Sequence, residues 1–180
     1  MRITGGFLKN QSIKTPKGLK TRPTSEKLRQ AVFNICQNHV EESHFLDLFA
    51  GSGAMGIEAL SRGATSATFI ENDRLALKAI RENLSSLGLS QCATILSGDV
   101  LLMLKRLKKK SFELIYVDPP YHQELHEKTL VLLDHLEILS NSGNLFVEEC
   151  SLETVSFQNI ELKNKRKMGN TFLFEFTARP

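Results

Sequence analysis

Between residues 44 and 149 the chain alternates short, densely apolar runs with longer stretches in which apolar residues recur every three or four positions. That alternation predicts strands interleaved with helices. The runs lie at about 44–49, 67–71, 92–97, 112–117 and 145–149, and the helical stretches at about 54–62, 74–87, 100–108 and 123–139, with Gly88 as a helix stop. Runs that are apolar at successive positions are buried on both faces, which predicts a mainly parallel sheet covered by helices on both sides. Ahead of them, Pro16, Gly18 and Pro23 break any helix until Thr24 or Ser25, which can cap one running to about Asn38 with Leu28, Val32 and Ile35 inward. Residues 1–15 alternate in short stretches around Gly5-Gly6 and Lys9-Asn10, the pattern of a small β-hairpin. After residue 149 two strand patterns, about 156–164 and 171–178, follow one another through Lys165–Asn170 with no helix between them. The expected fold is therefore α/β: a mainly parallel, seven-stranded, Rossmann-like sheet that finishes in an antiparallel hairpin. A small basic hairpin extension precedes it over residues 1–23, and the main domain spans 24–180.

Composition changes this picture little, and charge changes it more. A chain of 180 residues with 41% hydrophobic and 24% charged residues fits one soluble domain with an adequate core, and no repeat is apparent. The three cysteines, Cys36, Cys92 and Cys150, are scattered and lack paired metal-site spacing, so they read as buried thiols in a reducing compartment, with no metal expected. No apolar run suits a signal peptide or a membrane span, so a cytoplasmic location is expected. Residues 1–30 hold eight Lys or Arg against Glu26 alone, residues 31–160 hold ten against 17 acids, and the last 20 residues hold five against two. A basic edge on a mildly acidic body suits a polyanion, with Arg2, Lys9, Lys14, Lys17, Lys20 and Arg29 as the candidate contacts. The cluster from Lys105 to Lys110, five basic residues in six, reads instead as the solvated end of a helix.

The candidate chemistry gathers at the carboxyl ends of the predicted strands, where an open parallel sheet binds its ligand. Asp47 and the turn Ala50-Gly51-Ser52-Gly53, continued to Gly56, end the first strand with G-x-G-x-x-G spacing, a cradle for a nucleotide-like cofactor at a helix N-terminus. Glu71 ends the second strand, 18 residues after Gly53, placed to accept from ribose hydroxyls. Asp99 and the Val100 N–H follow the third, placed to meet an adenine edge or, for Asp99, to cap a helix. Asp118-Pro119-Pro120-Tyr121 ends the fourth. Its prolines fix a turn that presents the Asp118 carboxylate and the Pro119 carbonyl as acceptors. Two acceptors gripping an exocyclic amine would aim its lone pair for in-line displacement, and Tyr121 can stack on the base.

The chain resembles the bacterial 16S ribosomal RNA guanine-N2 methyltransferase family over nearly its whole length. The resemblance is carried by Met1-Arg2-Ile3-Thr4-Gly5-Gly6, Arg22-Pro23-Thr24 with Arg29 and Phe33-Asn34, Leu46–Gly53, Glu58–Ala64, Ile70-Glu71, Asp118–Tyr121 and Gly169. It implies a class I methyltransferase fold and S-adenosyl-L-methionine as donor. It also implies one guanine 2-amino group of 16S ribosomal RNA in the small subunit as acceptor, an N-terminal hairpin that grips the RNA, and Arg22 and Thr24 closing over the cofactor. Tyr121 stands where Phe is also common in the family. Three rivals stay open on the residues alone: an amino-methyltransferase acting on adenine N6 or a glutamine side chain, a nicotinamide-dependent oxidoreductase, and a catalytically silent RNA-binding protein.

Overall fold

In the computed structural model, which describes residues 1–16, 25–120, 123–149 and 156–179, the runs His44–Leu48 (β1), Ser66–Glu71 (β2), Ala93–Ser97 (β3) and Phe112–Val117 (β4) pair in parallel. Leu139–Glu149 (β5) adds in parallel to β4. The hairpin of Ile160–Met168 (β6) and Thr171–Ala178 (β7) completes the order β3-β2-β1-β4-β5-β7-β6, with β7 antiparallel to both neighbours. The helices are Glu26–Ile35 (α1), Ala54–Ser61 (α2), Arg74–Ser86 (α3), Val100–Leu104 (α4) and Gln123–Leu136 (α5). Successive strand side chains point to opposite faces. Phe45, Phe69 and Phe146 accordingly pack with Phe33, Ile57 and Ile80 on one face, while Leu46, Ile70 and Val147 pack with Leu104, Leu130 and Leu133 on the other. Two filled faces explain the continuous apolar runs. Among the described residues no helix is long and apolar enough to cross a membrane.

Besides β6, which runs over Ile160–Met168 rather than about 156–164 and so takes in Lys165–Met168, the structure departs from the pattern-based expectation in four places. First, β5 begins at Leu139 rather than 145, because its first residues still pair with β4 across an irregularity between Phe112 and Leu114. Gly143 permits that passage, since a Cβ there would sit 2.9 Å from the Glu113 carbonyl oxygen. Second, α4 stops at Leu104, and Lys105–Lys110 form turns rather than a helix end. Lys109 pairs with Glu137 at 2.7 Å. Third, Cys92 is exposed, whereas Cys36 is buried and its thiol is pushed up to about 12 by that burial. Fourth, the N-terminal hairpin is a loop closed by a single antiparallel bridge between Arg2 and Ser12, because residues 6–11 fold into tight turns instead of extending. Its Ile3 and Ile13, 1% and 2% exposed, belong to the same core cluster as α1 and α2. Lys17, Lys20, Arg22, Thr24, Tyr121 and Cys150 lie outside the described residues.

Candidate active site

The turn after β1 is built from left-handed backbone. Phe49, Gly51 and Gly53 have φ of 60°, 56° and 76°, a region that costs a residue with a Cβ and suits glycine. A Cβ on Gly51 would meet nothing within 4 Å, so that glycine is there for its φ, and the open space beside it belongs to a cavity. Gly56 serves the opposite need. A Cβ there would lie 2.3 Å from the Phe69 ring, so its absence lets α2 press onto β2.

The cavity, about 310 Å³, is lined by the glycine turn and by the carboxyl ends of β1, β2 and β4. Asp47, Ala50, Gly51, Ser52, Glu71, Asp99, Val100, Asp118 and Pro120 all reach it, so the strand-end residues singled out in the sequence converge. Gly53 does not reach it. It takes the N-cap position of α2, facing Ile80 and Phe69. Pro119 is buried and does not line the cavity, although Asp118 and Pro120 on either side of it do.

The carboxylates have distinct settings. Glu71 accepts from the backbone N–H groups of Gly51 at 2.8 Å, Asn72 at 2.8 Å and Asp73 at 2.9 Å, so it holds the glycine turn to the end of β2 while edging the cavity. Asp99 caps α4 by accepting from the Leu102 N–H at 3.1 Å, and it lines the cavity as well; the cap and the ligand-facing position coexist. Asp47 is 2% exposed and accepts from the Gly56 N–H at 2.9 Å. Burial pushes its carboxyl well above the usual carboxylate range. The Gly56 N–H opposes that shift, and the negative charges of Asp118 and Glu71 add to it.

Four further residues, Tyr116, Thr15, Pro16 and Asn83, build the site without having been singled out from the sequence. Tyr116 pairs in register with Asp47 and donates its hydroxyl to Glu148 at 3.1 Å, forming a cavity wall two residues before Asp118 on the same strand face. Period-two reading of β4 would have found it. Thr15 and Pro16 from the N-terminal segment also line the cavity. Asn83 on α3, 1% exposed, explains how they get there. Its side chain accepts from the Lys14 N–H at 2.9 Å and donates to the carbonyls of Lys14 at 3.0 Å and Ser52 at 3.1 Å, tying the segment to the glycine turn.

Arg29 corrects the sequence reading. Among the candidate polyanion contacts it is the exception: its side chain is 0% exposed and pairs with Glu58 at 3.1 Å, while its guanidinium also donates to the Arg2 carbonyl. A guanidinium removed from solvent cannot meet a phosphate. Arg29 anchors the N-terminal segment instead, together with Thr4 and Arg62, which converge on the same Glu58 carboxylate. Arg2, Lys9 and Lys14 are exposed. The tip carrying Lys9 docks on Ser61 at the far end of α2, about 12 Å along that helix from the glycine turn.

The chemistry of the cavity wall selects its ligand. Five carboxylates, Asp47, Glu71, Asp73, Asp99 and Asp118, line the cavity, and no Lys, Arg or His does among the described residues. Such a wall is rich in acceptors and negative charge. It suits a compact ligand bearing positive charge and hydroxyl or amine donors, and it repels a pyrophosphate. S-adenosylmethionine, with its sulfonium, ammonium and ribose hydroxyls, fits; a nicotinamide dinucleotide does not.

A family model described as conserved hypothetical protein 95 matches residues 1–177. Ribosomal RNA small subunit methyltransferase D of Escherichia coli strain K12 is 34% identical over 148 residues, 82% of this chain and 74% of that protein. The protein of the same name from Buchnera aphidicola is 30% identical over 168 residues, 93% of this chain and 87% of its own length. The chain belongs to this family of ribosomal RNA methyltransferases. The solved structure of Escherichia coli yhhF superposes with a TM-score of 0.87 at 32% identity, covering 99% of this chain and 97% of that one. As a member of the family the protein has the Rossmann-like class I methyltransferase fold, and its cofactor is S-adenosylmethionine.

Proposed function

We propose that the protein transfers the methyl group of S-adenosylmethionine to the exocyclic 2-amino group of one guanine in 16S ribosomal RNA of the small subunit. The observation that carries this reading is an acid rather than an amide at position 118, which lines the cavity immediately after β4. Guanine offers two adjacent donors on one edge, N1–H and N2–H, and a carboxylate offers two acceptors. Adenine offers a donor beside an acceptor, which an amide matches and a carboxylate does not. The residue type therefore favours guanine N2 over adenine N6.

The bound cofactor supplies an electrophilic methyl group on a cationic sulfur. In this reading Asp47 and the Gly51 turn hold the methionine end, Glu71 takes the ribose hydroxyls, and Asp99 with the Val100 N–H meets the adenine. Asp118 and the Pro119 carbonyl accept from the guanine edge and orient the amine lone pair towards the methyl group, so most of the rate gain comes from positioning. The methylated amine is strongly acidic, and its extra proton passes to the Asp118 carboxylate or to water. Arg22, Thr24 and Tyr121 keep the roles the family resemblance implies.

The test is nucleoside mapping of 16S ribosomal RNA from cells with and without the gene. One N2-methylguanosine is expected to revert to guanosine in the deletion. Full retention of every N2-methylguanosine, with another modification lost, would overturn the reading.

A further inference from the structure

The closing hairpin carries a charge pattern that the active site does not use. β6 is the last strand of the sheet, and its exposed charges are sorted along its length. Glu161 and Leu162, the latter 52% exposed, lie towards its start, while the exposed Lys163, Lys165 and Lys167 and the half-buried Arg166 follow towards its end. Register fixes where that end is. Glu149, the last residue of β5, pairs with Phe172, and Phe172 pairs with Lys167, so the basic end of β6 shares a rim with the carboxyl ends of β4 and β5. Three interstrand spacings separate β6 from β4, about 14 Å at roughly 4.8 Å each. Lys165 is seated, its Nζ lying 4.2 Å from the Phe172 ring centre and 5.1 Å from that of Phe174, with the residue exposed. Of the nearby acids, Glu148 receives the Tyr116 hydroxyl and Glu149 pairs with His126, while Glu175, 3% exposed, pairs with Lys163 at 3.1 Å and Arg166 at 3.6 Å, so the positive charge of this end rests on Lys165 and Lys167.

Lysines also guard edge strands against pairing with other chains. Edge guarding needs charge of either sign anywhere along the strand. It does not call for the lysines that are unpaired among the described residues to gather at the end nearest the cavity, nor for one of them to be held in place by two rings.

We propose that the basic end of β6, with Lys165 and Lys167 as its principal contacts, binds the phosphate backbone of the substrate RNA beside the target base. The inference rests on ribosomal RNA being the substrate. It adds a second contact surface to the Lys14–Pro16 end of the N-terminal segment, which reaches the cavity through Thr15 and Pro16.

The test compares the wild-type protein with Lys165→Gln/Lys167→Gln and Lys165→Glu/Lys167→Glu, measuring binding to protein-free 16S ribosomal RNA between 50 and 200 mM salt. Each phosphate contact contributes about 0.7 to 0.9 to the salt slope, so both double variants should lose about 1.4 to 1.8. The drop in affinity across that salt range should shrink about sevenfold to twelvefold. Affinity for S-adenosylmethionine should be unchanged, which establishes that the variants are folded. If the Gln variant self-associates while the Glu variant keeps the wild-type slope, the lysines are edge guards and the proposal is overturned. A wild-type slope on RNA with weakened binding to assembled small subunits would make the partner a protein, and that also overturns it. Methyl transfer by the wild-type protein is scored separately, so failure of the ribosomal RNA reading is distinguishable from failure of this surface.

Discussion

Glu58→Gln isolates what holds the N-terminal segment to the methyltransferase core. The Glu58 carboxylate accepts from the Thr4 N–H at 2.9 Å, the Thr4 hydroxyl at 2.7 Å, the Arg29 Nε at 3.1 Å and the Arg62 Nε at 2.9 Å. Arg29 and Glu58 are both 0% exposed, whereas Arg62 is 20% exposed. Glutamine keeps the shape, but it removes the charge and turns an amide N–H₂ towards one set of donors. Arg29 is then a buried cation without its counter-charge. Breaking a buried pair from one side costs about 3–5 kcal/mol. At this chain length that is a fall in Tm of roughly 6–20 °C. Arg62→Gln, which disturbs a partly exposed i,i+4 pair, should cost about 1 kcal/mol or less. Urea unfolding and thermal melts followed by circular dichroism read both variants. A loss below about 1 kcal/mol for Glu58→Gln, or equal losses for the two variants, would refute the reasoning.

Asn83→Ala should cost about 2–3 kcal/mol, since the Lys14 N–H and two carbonyls lose their partner, and should weaken S-adenosylmethionine binding through the Lys14–Pro16 wall; calorimetry showing unchanged affinity would contradict the link. Burial raises the Asp47 carboxyl from its usual 3.8, so between that value and its folded value the folded protein holds a proton that the unfolded chain has lost, and stability falls as pH rises through the window. Asp47→Asn should remove that fall and raise Tm at neutral pH while weakening cofactor binding; melts that follow the wild type at every pH would count against it. Asp118→Ala should lower transfer by about 10²–10³ with cofactor affinity largely kept, and an active variant would take Asp118 out of the mechanism.

Much of this was legible because the signals were local. The strand ends bearing Asp47, Glu71, Asp99 and Asp118 follow from periodicity and from where a parallel sheet opens, and the structure brings all four to one cavity. What local pattern could not supply was which polar groups go inside. Arg29 looks in sequence like one more cation of a basic arm, but Glu58, 29 residues away, draws it into the core. Asn83, in an ordinary amphipathic helix, gives no hint that it bridges residues 69 and 31 positions back along the chain. The early start of β5 was hidden for a related reason: its first residues include the exposed polar Asn141 and Ser142, which break the apolar run that marks a central strand.

The acceptor atom decides between guanine N2 and the other amines. Purified protein can be incubated with S-adenosylmethionine carrying a labelled methyl group and with small-subunit ribosomal RNA from cells lacking the gene, and the RNA then digested to nucleosides. Label is expected in N2-methylguanosine and is expected to be lost with Asp118→Ala. Label in N6-methyladenosine, or in ribosomal protein with none in RNA, would contradict it.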